Sequence, residues 1–409
     1  MQRTPFMVLV SVLSLAIIIP QSNDKDHQLN NLISKALDHN PEILAWQSIV
    51  HSKKQASIAA GSLPNPVLSG GYFVEPVVTK EGPQEFKLGL AQNLPWPGKL
   101  NTQKLISQAD ADISIEKPRQ SILKVVNDIR RKYHQLRLLA TEENITEENL
   151  SLLKQFESVV RTKYSTASAS HSYLVQIQMK MIRMEDKLTS LKNKRPVIIS
   201  KLEQLTGVGL ADFSFDFDTA EFETDLPTSS PVGIANNPVI RISKLKTHTQ
   251  ENKVTLAKLA SKPDFLLGVD YIMLDAESAD NPIMVKAGIS LPIWFGRNKA
   301  IQESAKAGLD SEELNLTNAQ ELLAVKIEEI NYRLVDYQRQ YLLHIEELLP
   351  LAEQNYQITE TGYLADELDF TTYLNVEEDL LDLKLKTARL RYNYYIAIAD
   401  YLEISAMEY

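Results

Sequence analysis

Three carboxylates crowd the polar turn LADELD (364–369): Asp366, Glu367 and Asp369. Acidic side chains this close sum to a local negative field that attracts cations and repels anions. At a helix start the same residues serve a plainer purpose, because carboxylates are favoured beside the exposed amides of a first turn. A second polar turn, STASASHS (165–172), carries His171. It lacks the i, i+4 histidine or close carboxylate of a metal site and reads as an exposed turn residue. Met179, Met181 and Met184 are of a soft ligand type, but Met181 and Met184 fall on a heptad seam, where packing explains them. Trp96 and Trp294 each follow an alternating apolar stretch. They suit either an aromatic girdle at a membrane boundary or ordinary packing where strand meets helix. No G-x-S-x-G, H-E-x-x-H, P-loop or dinucleotide fingerprint occurs. The sequence therefore offers no catalytic residue, cofactor site or metal site, and it does not read as an enzyme.

Composition narrows the class further. A net charge of −10 without a basic patch argues against nucleic acid as a partner. The absence of cysteine excludes disulfides and thiolate chemistry. Residues 1–22 read as a signal peptide: Arg3 is a basic flank, and the apolar run Met7–Ile19 falls short of the ~20 residues a spanning helix needs. Later segments contain no apolar run of spanning length, which leaves β-strands as the candidates for crossing a membrane.

The elements that must position these residues come twice. NPVLSGGYFVEPVVTKEGPQEFKLGLAQNLPWPGK (65–99) has a copy, KPDFLLGVDYIMLDAESADNPIMVKAGISLPIWFGRNK (262–299), in which Pro66, Gly71, Leu94 and Pro95 match Pro263, Gly268, Leu291 and Pro292. Such a long-period self-match indicates a duplicated unit. Each copy predicts two strands, at about 66–77 and 84–94 and at about 263–274 and 283–292, from period-two alternation. Phe265, Leu267, Val269 and Tyr271 fall on one face, and Val285, Ile289 and Leu291 on the matching face of the next strand. Tilted strands of this length cover roughly 25 Å, the apolar band of an outer-membrane barrel. Four strands cannot close a barrel, since the smallest spanning barrels have about eight. The strands either form an ordinary sheet or are pooled by several chains.

Helices fill the rest. Residues 27–62 and 238–261 are expected to be helical, with Asn40-Pro41 and Asn237-Pro238 as cap and first helical position. Helical reaches follow at 97–163 and 296–362, each ~100 Å long at 1.5 Å per residue, with kinks expected at Pro118 and Pro350. Heptads mark Leu174, Ile177, Met181, Met184, Leu188 and Leu191, then Leu342, Ile345, Leu349, Ala352, Tyr356, Thr359 and Tyr363, and finally Val376, Leu380, Leu383, Thr387, Leu390, Tyr394, Ala397 and Tyr401. The expected organisation is a first repeat at 23–207 with a helical hairpin at 97–207, an acidic connector at 208–231 with a short strand at Phe213–Phe217, and a second repeat at 232–409 with a hairpin at 296–405.

Asn40-Pro41 with Pro64-Asn65-Pro66, Leu94-Pro95-Trp96-Pro97-Gly98-Lys99, and the run Asp369 to Glu377 (DFTTYLNVE) resemble the TolC-like outer-membrane efflux factor family, and within it the cation-efflux (CusC/CzcC-like) branch. The resemblance covers about residues 30–402. It implies a mostly α chain with a small β part: a homotrimer in which each copy gives four strands to one twelve-stranded outer-membrane barrel that continues as a helical tunnel through the periplasm. It also implies an exit duct docked to a periplasmic adaptor and a proton-driven inner-membrane pump, with heavy-metal cations as cargo. Asp366, Glu367, Asp369 and His171 would then ring the periplasmic tip, and Trp96 and Trp294 would meet outer-membrane lipid. Where the family usually has a tip-turn glycine, Ala167 and Asp366 stand here. The competing reading is a periplasmic coiled-coil scaffold or adaptor whose strands form a small soluble domain.

Overall fold

The structure, a computed structural model, describes residues 27–211, 213–215, 217, 236–275 and 280–406. The expected signal peptide and most of the connector lie outside these residues. In chain order the elements are α1 (His27–His39), α2 (Pro41–Ala60), β1 (Val67–Thr79), β2 (Gly82–Leu94), α3 (Lys99–Ser165) and α4 (His171–Thr206). Then follow α5 (Pro238–Leu259), β3 (Phe265–Leu274), β4 (Ile283–Ile289), α6 (Phe295–Leu343), a π-turn (His344–Leu348), α7 (Leu349–Leu364) and α8 (Phe370–Ser405).

The duplicated Asn-Pro pairs start their helices as expected, and each asparagine has a second task. Asn40 Oδ1 accepts from the amides of Glu42 and Ile43, while its Nδ2 donates to the Leu205 carbonyl at 2.7 Å. Asn237 Oδ1 accepts from the Val239 amide, and its Nδ2 donates to the Ile404 carbonyl at 2.6 Å. Each half thus ties the start of its pre-strand helix to the end of its hairpin through one buried side chain. Asn237→Ala is expected to lower stability by about 1–3 kcal/mol, read by chemical denaturation, because it removes a cap and strands a buried carbonyl. At the first junction α4 ends on Gly207 in the left-handed region (φ 72), where any side chain would run into the His39 carbonyl.

The four strands form one antiparallel sheet in the order β1-β2-β3-β4. The halves join through the β2–β3 pairing, with Leu90 opposite Val269. Bulges interrupt the ladders between Tyr72 and Val77 and between Gln84 and Phe86. β4 stops at Ile289, earlier than the alternation suggested, because its partner β3 begins opposite it at Phe265; one further bond follows, from the Ser290 amide to the Asp264 carbonyl at 2.8 Å.

Apolar helix faces gather into three cores. One packs α1 and the middle of α3 against the end of α4 around Leu32, Ile129, Leu136 and Leu202. Another packs the turn-proximal ends of α3, α4, α7 and α8 around Phe156, Ile177, Phe370 and Tyr373. The last joins α6 to α8 around Ile330, Tyr394 and Tyr401.

Two expectations are corrected and a third is met in altered form. Pro118 does not interrupt the first reach: α3 runs unbroken for 67 residues, since packing along its length outweighs the ~3 kcal/mol cost of one proline. The second reach does change near Pro350, through the π-turn, which brings His344 inward and leaves Ile345 exposed, off the expected seam. Phe213, Phe215 and Phe217 are not strand; they are loop residues resting on the first core, with Phe217 edge-on to Tyr133.

Candidate functional site

The sheet presents two chemically opposed faces. Leu68, Leu90, Val269 and Val285 lie opposite one another in a single row across all four strands, and all four are exposed. Tyr271, Ile283 and Ile289 extend this bare apolar face. The reverse face carries Ser69, Gly89, Asp270 and Met284 in one row and Val67, Ala91, Gly268 and Lys286 in the next. There Asp270 is bracketed by Lys87 and Lys286, each at 2.7 Å. The alternation foretold the apolar face; the cluster on the reverse face went unrecognised, because its members sit in three strands and meet only through their register.

At the far end of the helices the two turns are built alike. Ala167 and Asp366 both hold the left-handed conformation at φ 60. In the first turn the Ser168 amide donates to the Lys163 carbonyl, and in the second the Glu367 amide donates to the Gly362 carbonyl, each at 2.8 Å. The turn geometry therefore survives without glycine. Such a conformation costs an alanine about 1 kcal/mol, so Ala167→Gly is expected to raise stability by about that amount in a denaturation series.

Lys163 binds the two turns together. Its ammonium pairs with the Asp366 carboxylate, donates to the Tyr363 carbonyl at 2.9 Å and lies 4.4 Å from the centre of the Tyr363 ring. Asp369 caps α8, accepting from the Thr371 and Thr372 amides and, at 2.6 Å, from the Thr372 hydroxyl. Glu367 is exposed, and His171 opens α4 with its ring tilted against Tyr164. The four turn residues thus share one end of the molecule without forming one cluster: Asp366 is ion-paired, Asp369 is a cap, and no ion pair among the described residues joins His171 to an acid. No group of three or more His, Asp or Glu placed to hold a metal occurs among the described residues.

The two tryptophans differ. The Trp96 amide donates to Asp264 and its ring stacks on Phe265, at the point where β2 leads into α3. Trp294 is 69% exposed beside exposed Leu291, Ile293 and Phe295. Met181 and Met184 pack on the core near the turns.

His134, which nothing in the sequence singled out, is a buried imidazole stacked flat on Tyr395 with ring centres 4.3 Å apart. It lines a cavity of about 230 Å³ with Arg137, Tyr341 and Arg391. Burial, reinforced by Arg137, Arg130 and Arg391, pushes its pKa down to about 3. The Asp369 carboxyl is also held below its ordinary range, chiefly by Thr372. In both cases the unfolded chain binds protons more readily than the folded one, so the stability these groups confer is lost as pH falls. For His134 that loss begins near its unfolded value of ~6.5. The unfolding midpoint is expected to drop steadily between about pH 6.5 and 4, and His134→Gln should flatten the upper part of the curve.

No family model matches the chain, and no curated protein matches it by sequence. Solved structures do match. The outer-membrane channel OprN superposes with a TM-score of 0.82 at 16% identity, over 93% of this chain and 90% of that one. CusC, solved for the conformational changes that accompany folding and transmembrane channel formation, gives 0.80 at 17% identity over 93% and 92%. The CmeC outer membrane channel of Campylobacter jejuni gives 0.77 at 17% identity over 94% and 86%. The chain therefore shares its fold, long helices joined to a four-stranded sheet, with these outer-membrane channels. At these identities the likeness is one of fold, and function has to be argued from the residues.

Proposed function

We propose that this chain is one subunit of a passive exit duct in the outer membrane: a homotrimer that pools three four-stranded sheets into one barrel and continues into the periplasm as a helical tunnel. The observation that carries this reading is the sheet. An apolar face left exposed across all four strands needs lipid or a partner, and β1 and β4 leave two sheet edges open. Within lipid an open edge is untenable, because each unsatisfied backbone group costs several kcal/mol. Closure by further copies, β4 of one beside β1 of the next, removes both edges. Among the described residues no helix is long and apolar enough to cross a membrane, so the spanning element in this reading is the barrel.

The helices support the same assembly. Val175, Met179 and Ile182 on α4, and Leu322, Val325, Tyr332 and Val335 on α6, are exposed at near-heptad spacing, as expected of helices that complete their packing against neighbouring copies. The turns, at the end away from the sheet, are then the docking end for a periplasmic adaptor and a proton-driven inner-membrane pump, which supplies the energy. The chain itself performs no chemistry.

Imaging of the purified protein in detergent is expected to give hollow three-fold cylinders; a water-soluble monomer with no affinity for bilayers would sink the duct and leave the scaffold reading. Heavy-metal cations as cargo rest on the sequence resemblance to the cation-efflux branch, and the acidic turn lends little, since Asp366 and Asp369 are engaged elsewhere. Deleting the chain and scoring survival on copper, silver, cobalt, zinc and organic toxicants tests the cargo. Sensitivity to organic toxicants alone would refute it.

A further inference from the structure

The polar face of the sheet carries a local charge opposite in sign to that of the chain. Lys87 and Lys286 both reach Asp270 at 2.7 Å; the Asp270 side chain is 0% exposed, whereas the lysines remain 34% and 32% exposed. What looks out from the wall is two cations above one hidden anion, a net +1 on a chain of net −10. Their neighbours on this face, Ser69, Gly89, Ala91, Gly268 and Met284, bear no charge. The arrangement depends on missing side chains: a Cβ at Gly89 would strike the Asp270 carboxylate, and one at Gly268 would come within 2.6 Å of Lys286 Cε.

We propose that Lys87, Asp270 and Lys286 set the ion preference of the barrel. Repeated in three copies, they form a belt of net positive charge that admits anionic solutes and hinders bare multivalent cations. The proposal rests on the duct reading, since this face is lumenal only when the strands close a barrel. Rings of lysine or arginine select anions in pores, and like charges on a low-dielectric wall add their fields. Asp270 holds both ammonium groups at one level of the wall, so it is the positioning residue and the lysines are the selecting ones. A metal cargo would pass the belt more readily as an anionic complex than as a free ion.

The test uses full-length trimers in planar bilayers under a KCl gradient, with the chloride-to-potassium permeability ratio taken from the reversal potential. The triple substitution Lys87→Gln, Asp270→Asn, Lys286→Gln removes every charge without stranding a buried one. It is expected to lower the ratio by about threefold or more, whereas Asp270→Asn alone, which leaves both lysines, should raise it. If the triple variant fails to assemble, single Lys87→Gln and Lys286→Gln variants decide, each being expected to lower the ratio. Identical ratios in wild type and assembled variants, with conductance retained, overturn the belt and leave the duct standing. No conductance from wild-type trimers overturns the duct and the belt with it.

Discussion

Replacing Val269 and Val285 together by arginine is expected to abolish membrane assembly. The two valines face each other across β3 and β4, in the row that begins with Leu68 and Leu90, and all are exposed on the apolar face. An arginine on the lipid side of a barrel costs about 2–4 kcal/mol near the midplane. Three copies would bring six such side chains to one barrel, each pair set directly opposite across strands, where like charges repel. The measured outcome should be loss of detergent-resistant trimers on unheated gels and loss of the protein from outer-membrane fractions. Asn93→Arg is the matched control, since Asn93 belongs to the polar face, opposite Leu266, and lumenal substitutions are tolerated. Unchanged trimers in the double variant would show that the valines meet no lipid.

Glu377→Ala should be the most damaging single change in the helical part. Glu377 is 2% exposed on α8 and accepts from Asn149 of α3 and Lys180 of α4. One carboxylate therefore pins the first hairpin to the second, close to the core around Phe156 and Tyr373. Truncation leaves the Asn149 amide buried without it and the largely buried Lys180 ammonium with only the exposed Glu378 carboxylate, 3.7 Å away. Breaking a buried pair from one side costs about 3–5 kcal/mol. The double change Lys180→Met, Glu377→Leu removes both charges and should recover most of that loss, because buried pairs are commonly replaceable by apolar residues. Denaturant titration in detergent measures the stabilities, and hydrogen exchange at the turn amides should rise in Glu377→Ala and return toward wild type in the double variant. A loss below about 1 kcal/mol would mean that the pair is solvated, as exposed pairs are.

These two predictions differ in how much of them the sequence already contained. The valines stood out at once: alternation along a strand is a property of adjacent residues, and any strand with that pattern has that face. Glu377 closes the DFTTYLNVE run that carries the resemblance, but nothing in the sequence gives it a partner, and in a helix rich in charged residues a carboxylate reads as solvated surface. Its burial depends on α3 and α4 arriving beside it.

What the sequence determined by itself is whatever is set within a few residues: the alternating strands, the Asn40 and Asn237 caps, the buried seams through Ile177 and Leu191 and through Leu390 and Tyr401, and the duplication that repeats them. Tertiary structure alone decided that Lys87, Asp270 and Lys286 converge, because a shift of one residue in either ladder would send Asp270 to the opposite face. It also decided that Pro118 is carried in an unbroken helix while the second reach passes through a π-turn, and that Ala167 and Asp366 hold a conformation glycine would take more cheaply. In each case a local preference of a few kcal/mol at most is overridden by packing summed over many residues that lie far apart in the chain.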